Sequence, residues 1–255
     1  MSSVSIFPLF SGSKGNCTLV VAGDTKILID AGAGKLKTSR KLKSFGFDLS
    51  DIDALLITHC HSDHIRYIED VAFFSNCKVY CSKKVEHIVL SRLFDNAEKL
   101  VAFDGAFSIG SVYITPFELP HDATCFGYKI ESGESSFTYM TDLGFFDEEL
   151  LPIISGTEKI MIESNHDEEM LEKGSYPYYL KKRILSVGGH LSNGSCANVC
   201  QKLYNRGTKE FILGHLSEEN NCPELAYNAV NEALKSQGDD YKLFVTTRNG
   251  LDEIV

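Results

Sequence analysis

The sequence predicts an α/β protein, and three observations carry that expectation. Short apolar runs rich in β-branched residues alternate with stretches of helical periodicity along the 255 residues. Several of those runs end on an acid or a histidine. One of them, Ala54-Leu55-Leu56-Ile57, leads straight into Thr58-His59-Cys60-His61-Ser62-Asp63-His64. Loops at the ends of strands that lie between helices are where α/β proteins bind ligands, so such a chain is set up to build one site.

The elements follow in order. Residues 4–10 and 17–22 read as strands around the turn Ser11-Gly12-Ser13-Lys14-Gly15-Asn16, and Thr25-Lys26-Ile27-Leu28-Ile29-Asp30-Ala31-Gly32 as a third ending in an acid and a glycine. Residues 35–46 have helical spacing through Leu36, Ser39, Leu42 and Phe45. A buried strand at 54–57 precedes the histidine cluster. Helices are expected at 65–75 and 83–94, with strands at 77–81, 99–103, 111–118, 125–131 and 135–141. The run Glu158-Lys159-Ile160-Met161-Ile162-Glu163 reads as a strand ending in Glu163, and 209–214 as one ending at His215. Helices follow at 166–172, 177–186, 193–205 and 222–237, and a last strand at 241–246. Nothing in composition splits the chain, so residues 1–255 are expected to form a single domain.

Composition narrows the function. The chain is 43% hydrophobic and 24% charged, which suits a globular protein with a sizeable core. No apolar run reaches the roughly 18 residues of a membrane span. The start, Met1-Ser2-Ser3-Val4-Ser5-Ile6-Phe7-Pro8, lacks the basic and apolar regions of a secretory signal. The eight cysteines sit mostly inside apolar patterns and form no C-x-x-C pair, so a reduced, cytoplasmic protein is expected; Cys196 and Cys200 are one helical turn apart and should pack. A net charge of −10 gives no general affinity for nucleic acid or anionic membranes. Any nucleic-acid function must therefore rest on a local site.

The cluster is that site's first piece. Its pattern is H-x-H-x-D-H, three histidines and a carboxylate within six residues. Residues two apart point the same way in an extended backbone, so His59 and His61 can grip one cation, while Asp63 and His64 turn toward a second. Imidazole with carboxylate suits Zn²⁺, Mn²⁺ or Fe better than Mg²⁺ or Ca²⁺. A metal-free surface turn is the ordinary alternative, but packing does not explain three histidines and an aspartate at a strand end. Further along, His121 follows the 111–118 strand, Asp142 ends Phe137-Thr138-Tyr139-Met140-Thr141-Asp142, and His215 lies in Ile212-Leu213-Gly214-His215-Leu216-Ser217. Alone, each would be a turn former or a hydrogen-bonded surface residue.

Together these residues resemble the metallo-β-lactamase superfamily, from the Ser11-Gly12-Ser13 turn to about residue 220. The resemblance implies a four-layer αββα sandwich and a dinuclear site. His59, His61 and His121 would hold one metal, Asp63, His64 and His215 the other, with Asp142 bridging. Asp30 matches the superfamily's early aspartate and would support the ligands from behind. The stretches Glu163-Ser164-Asn165-His166-Asp167, Gly188-Gly189-His190-Leu191-Ser192-Asn193 and Gly214-His215-Leu216-Ser217 resemble the WalJ/YycJ-type group of compact bacterial nucleases, some of which resemble double-stranded DNA exonucleases. Gly189-His190-Leu191-Ser192 is also similar to the phosphate-contacting motif of ribonuclease Z-like enzymes.

The function so implied is a two-metal hydrolase, a phosphodiesterase or nuclease that uses a metal-bridging hydroxide, with two Zn²⁺, Mn²⁺ or Fe ions as cofactors and nucleic acid (DNA ahead of RNA) or a small phosphodiester as substrate. The alternative on the same fold is hydrolysis of a small ester, lactone or thioester. Catalytic roles fall to Asp63, His190 and Glu163, and substrate binding to His190 and Ser192. Glu163 would orient His190, or else be a solvent-facing strand end. Ser192 and Asn193 precede a helix and would cap it or bind phosphate, with capping favoured for Asn193. His166 would line the substrate mouth or cap the helix beside it, and His87 a solvent-facing helix surface. The basic runs Lys181-Lys182-Arg183 and Lys35 to Lys43 are either solvated helix faces or phosphate tracks. Tyr176, Tyr178 and Tyr179 would pack, or stack on bases.

Overall fold

The computed structural model describes residues 3–75 and 77–255. The reading of Met1 and Ser2 as part of a leaderless start lies outside the described residues. The chain forms two compact units. The first takes the chain up to Pro116, then Ile130–Glu134 and Arg248–Val255; the second takes Phe117–Lys129 and Ser135–Thr247.

In the first unit, β1 (Val4–Phe10), β2 (Cys17–Ala22), β3 (Thr25–Ile29), β4 (Ala54–Leu56), β5 (Lys78–Ser82) and β6 (Leu100–Phe103) form a sheet in sequence order. The first three strands are antiparallel; β3 to β6 are parallel. The helices are α1 (Lys35–Ser44), α2 (Ser62–Ile65), α3 (Ile68–Ser75) and α4 (Glu86–Leu93). All three residues of β4 are buried, which is why this strand reads as continuous apolar sequence rather than as alternation. Leu28, Leu55 and Val79 meet Leu42, Val71 and Val89 in one core. Each such side chain stabilises the fold by about 1.5–3 kcal/mol relative to exposure. On α1 only Thr38 and Leu42, one turn apart, are buried; the helix leaves its lysines and arginine on the other faces.

β7 (Phe107–Ile109) and β8 (Val112–Leu119) form an antiparallel hairpin whose turn carries Gly110 at φ 58. Three residues are too few for alternation to register, and the sequence reading has no strand there. In the second unit the strand order is β13-β12-β11-β10-β9-β8, with β9 at Cys125–Ser132, β10 at Ser135–Met140, β11 at Lys159–Glu163, β12 at Glu210–Gly214 and β13 at Lys242–Val245. β10 to β13 are parallel. The helices here are α5 (Leu151–Ile154), α6 (Glu168–Lys173), α7 (Tyr178–Ile184), α8 (Asn193–Tyr204) and α9 (Pro223–Lys235). Cys196, Cys200 and Leu203 of α8 share a core with Ala226, Val230 and Leu234 of α9. The two cysteine sulfurs lie 4.0 Å apart, packed as their spacing predicts.

The helix expected at 65–75 is two helices, α2 and α3, and it starts earlier, within the histidine cluster. The third strand stops at Ile29, because Asp30 has φ 63. α5 was not foreseen, since four residues carry no periodicity. Among the described residues no disulfide joins the cysteines, and no helix is long and apolar enough to cross a membrane.

Candidate metal centre

Parallel strands deliver their C-terminal ends to one edge of a sheet, and this explains how distant residues meet. In the first unit, neighbouring strands β3 and β4 lead to Asp30 and His59. Asp30 is fully buried and accepts from the Thr58 backbone N–H (2.9 Å) and the Thr58 hydroxyl (2.8 Å). Its Oδ2 also meets His64 Nδ1 at 2.7 Å. Burial pushes the Asp30 carboxyl above its ordinary range, against the opposing pull of His64 and Thr58. The Thr58 hydroxyl reaches His59 Nδ1 at 3.0 Å. The His59 ring centroid is 4.7 Å from that of His61 and 4.1 Å from that of His64. Asp63 and His64 sit on the short helix α2, where Asn16 Nδ2 lies 2.9 Å from His64 Nε2 and 3.3 Å from Asp63 Oδ2. Asn16 reaches this position because Gly32 is a glycine. An added Cβ there would lie 1.6 Å from the Asp63 carbonyl oxygen. Thr58 and Asn16 are the residues that sequence reasoning missed. The signal was present: Thr58 adjoins the cluster, and Asn16 closes the glycine-rich turn.

In the second unit, three adjacent parallel strands deliver Asp142, Glu163 and His215. Asp142 follows β10 at φ 64, and His215 follows β12 at φ 55. With Asp30, they are three of the four non-glycine residues at positive φ among the described residues. Such backbone costs about 1–3 kcal/mol per residue and gathers at functional sites. Glu163 ends β11 and is fully buried. Its Oε1 meets His190 Nδ1 at 2.8 Å and His215 Nδ1 at 2.6 Å. Its Oε2 accepts from the backbone N–H groups of Leu143 (3.2 Å) and Leu191 (3.0 Å). The solvent-facing alternative for Glu163 is thus incorrect: the strand end it occupies is covered by the loops bearing Leu143 and Leu191. Burial pushes the Glu163 carboxyl up, but attraction and hydrogen bonds from His190 and His215 outweigh it and bring the group down to about 2. For His190, burial opposes the charged ring, yet Glu163 wins and raises its pKa.

Asp142 Oδ1 lies 3.5 Å from His215 Nε2 and 3.7 Å from His190 Nδ1. Ligand-capable atoms of Asp142, Glu163, His190 and His215 fall within 4.8 Å of one another. His121 presents Nδ1 to the Gly189 carbonyl at 3.1 Å, and burial lowers its pKa. A Cβ on Gly189 would lie 2.0 Å from the Ile184 carbonyl oxygen, so only glycine brings that carbonyl to His121. Five imidazoles, those of His59, His64, His121, His190 and His215, are therefore all engaged through Nδ1. That is how proteins fix the tautomer that turns Nε2 toward a metal or substrate.

A family model described as the beta-lactamase superfamily domain matches residues 25–216. The chain belongs to that superfamily. It is 33% identical over 249 residues to the exodeoxyribonuclease WalJ of Streptococcus pneumoniae, covering 94% of this chain and 93% of the relative. It is 32% identical over 235 residues to the exodeoxyribonuclease YycJ of Bacillus anthracis, covering 90% and 89%. Among solved structures, the metallo-β-lactamase fold protein YhfI from Bacillus subtilis shares the fold with a TM-score of 0.72 at 17% identity, covering 99% and 98% of the two chains. The α/β class and the superfamily expected from the motifs are thus both found, and the chain is a hydrolase of this superfamily with a His/Asp cluster suited to divalent metal.

Among the other residues of this superfamily member, Asn193 and His166 depart from expectation. Ser192, not Asn193, caps α8, its hydroxyl accepting from the Ser195 N–H at 3.2 Å. Asn193 is buried and accepts through Oδ1 from the Ser164 hydroxyl (2.7 Å) and Asn221 Nδ2 (2.9 Å). Asp167 caps α6, so His166 has no capping role. His166 is buried at 1% exposure, and among the described residues neither of its ring nitrogens has a hydrogen-bond partner. Burial lowers its pKa. The Lys181 to Arg183 run is mostly occupied: Lys181 Nζ donates to the carbonyls of Glu172 and Gly174, and Arg183 grips Asp122 at 2.6–2.7 Å. Tyr178 and Tyr179 are exposed, as is His87 on α4.

Proposed function

We propose that this hydrolase is a two-metal phosphodiesterase acting on nucleic acid, DNA ahead of RNA. The donor set fits two divalent transition ions, Zn²⁺ or Mn²⁺ with Fe also suited. His59, His61 and His121 would hold one, Asp63, His64 and His215 the other, and Asp142 both. When bound, such ions lower the pKa of water and neutralise charge on a phosphate.

The protein's own residues supply the rest. Asp30 and Thr58 hold the imidazoles of His64 and His59 from behind, and Glu163 does the same for His215. The observation that carries the reading is Glu163's simultaneous grip on His190. It favours the protonated ring by raising its pKa, and it occupies Nδ1 so that Nε2 points away from the carboxylate. An imidazolium so held is suited to donate to a non-bridging phosphate oxygen and to protonate the leaving oxygen. Ser192, beside His190, would add a hydroxyl for the phosphate, while also capping α8. The exodeoxyribonuclease names of the relatives at 33% and 32% identity support the same reading. Only 47 residues separate Asp142 from His190, too few for a large inserted clamp, which favours short or end-bound strands.

The test is a cleavage panel with added Zn²⁺ or Mn²⁺. End-labelled DNA and RNA, bis-p-nitrophenyl phosphate and a lactone are compared at equal enzyme. Cleavage of DNA and of the chromogenic diester is expected. Turnover of the lactone alone would refute the proposal.

A further inference from the structure

A cavity of about 1180 Å³ lies wholly within the first unit, beside the histidine cluster but distinct from it. Seven cations line it, against two acids, Asp70 and Asp252. The chain as a whole carries a net charge of −10, so this concentration of positive charge runs against the molecule's general balance. Four of the cations, Lys35, Lys37, Arg40 and Lys41, come from α1, and Lys14, Arg66 and Arg248 join them from three other segments.

The arrangement comes from the fold rather than from one helix's composition. α1 buries only Thr38 and Leu42, which turns its basic residues away from the core. Lys41 pairs with Asp252 at 2.6 Å, and Lys35 sits 3.4 Å over the Phe74 ring. Lys37 and Arg40 are exposed and make no ion pair within the described residues. Phe10 and Tyr67, half-buried, supply aromatic faces in the same cavity. Its wall includes Gly15 and Gly32. Behind Gly32 the chain is already committed to the cluster: the Gly32 N–H donates to Asn16 (2.9 Å), and the Asn16 N–H donates to Asp63 (2.8 Å). The cavity and the Asp63–His64 ligand segment thus share one layer of backbone.

From this we propose that the cavity binds the phosphodiester backbone of a single nucleic-acid strand, with Lys37 and Arg40 contacting phosphates and Tyr67 offering a stacking face for a base. Concave cationic surface with aromatic platforms is the chemistry that single strands take. The shared wall with Asp63 makes it a track that leads toward the metal-ligand segment. The inference rests on the nuclease reading and gives that reading its substrate grip: a polymer held beyond the scissile bond rather than a small diester.

The experiment measures binding of a fluorescent single-stranded oligonucleotide by anisotropy across 50–200 mM salt, in full-length wild type and K37E/R40E, with the same charge change at Lys78 and Lys235 as a control. Each backbone contact contributes about 0.7 to the slope of log affinity against log salt for single strands. Loss of two contacts should therefore lower the slope by about 1.4. Affinity at low salt should fall at least 10-fold, and the ratio of oligonucleotide to bis-p-nitrophenyl phosphate turnover should fall with it. The neutral pair K37Q/R40Q keeps the slope measurable if charge reversal impairs folding. If wild type cleaves the oligonucleotide and the cavity variants bind and cleave as it does, the track is overturned while the nuclease reading stands. If wild type neither binds nor cleaves any oligonucleotide, the nuclease reading falls and this inference with it. Equal losses in the control variant would also overturn the track, because bulk charge would then explain them.

Discussion

Replacing Glu163 with glutamine should do far more damage than its isosteric shape suggests. The carboxylate accepts four hydrogen bonds, two from imidazoles through Oε1 and two from the Leu143 and Leu191 N–H groups through Oε2. An amide has one acceptor oxygen and one donor nitrogen. Whichever way it turns, one pair of donors must face an NH₂. Removing one partner of a buried charged network costs about 3–5 kcal/mol. For a chain of this size that lowers the melting temperature by roughly 6–20 °C, at about 2–4 °C per kcal/mol. The catalytic effect is separate. With His190 no longer oriented and its pKa no longer raised by the carboxylate, kcat toward a phosphodiester should fall by about 10²–10⁴, the usual worth of positioned acid–base catalysis. The assays are calorimetry of metal-loaded and metal-free protein and steady-state kinetics on bis-p-nitrophenyl phosphate. A Glu163→Gln protein that melts within about 2 °C of wild type and keeps kcat within threefold would show that the four-bond grip has no such consequence.

Three further outcomes follow from the same geometry. Asp30→Asn keeps the size but weakens the hold on His64, so divalent-metal affinity should drop about 10–100-fold, the usual effect of losing a group that orients a ligand, measured by calorimetric titration. Unaltered affinity would remove Asp30 from the support of the site. Gly32→Ala should displace the Asp63 backbone, because the new Cβ would lie 1.6 Å from its carbonyl oxygen. A soluble protein with lowered metal content is expected, and full metal content would contradict it. The pH dependence has a definite sign. Glu163 is held down near 2, below its ordinary carboxylate range, so its stabilisation of the metal-free protein is complete above about pH 4.5 and is lost as pH falls toward 2. His190 is raised, so its share is complete below about pH 6.5 and fades as pH rises through its higher folded value. Denaturant midpoints of metal-free wild type should therefore be steeper in pH on the acid side than those of Glu163→Gln, and parallel curves would refute the assignment.

Much of this was legible in the sequence because the site is built at strand ends. Apolar runs terminating in Asp142, Glu163 and His215 mark adjacent parallel strands of one sheet, as those leading to Asp30 and His59 do in the other, and parallel pairing assembles each group. What the sequence concealed lies in interactions across long separation. Asn16 touches His64 from 48 residues away, and Thr58 looks like an ordinary strand-end threonine until Asp30 is placed beneath it. Glu163 could be read either way, because a strand end gives no sign of whether later loops cover it. The roles of Ser192 and Asn193 were exchanged because either residue type caps a helix well. The bond from the Ser195 N–H to the Ser192 hydroxyl shows which of them stands outside the first turn. The basic stretch on α1 was ambiguous for a similar reason: its charges gain meaning only when Lys14, Arg66 and Arg248 arrive beside them.

The central claim is that Glu163-held His190 serves a phosphodiester rather than the metals. His190→Ala tests it most directly, with metal content and cleavage measured on the same sample. The account predicts about two divalent ions per chain, as in the wild type, and DNA and bis-p-nitrophenyl phosphate cleavage reduced by about 10²–10⁴. Cleavage at wild-type rate with full metal content would contradict it.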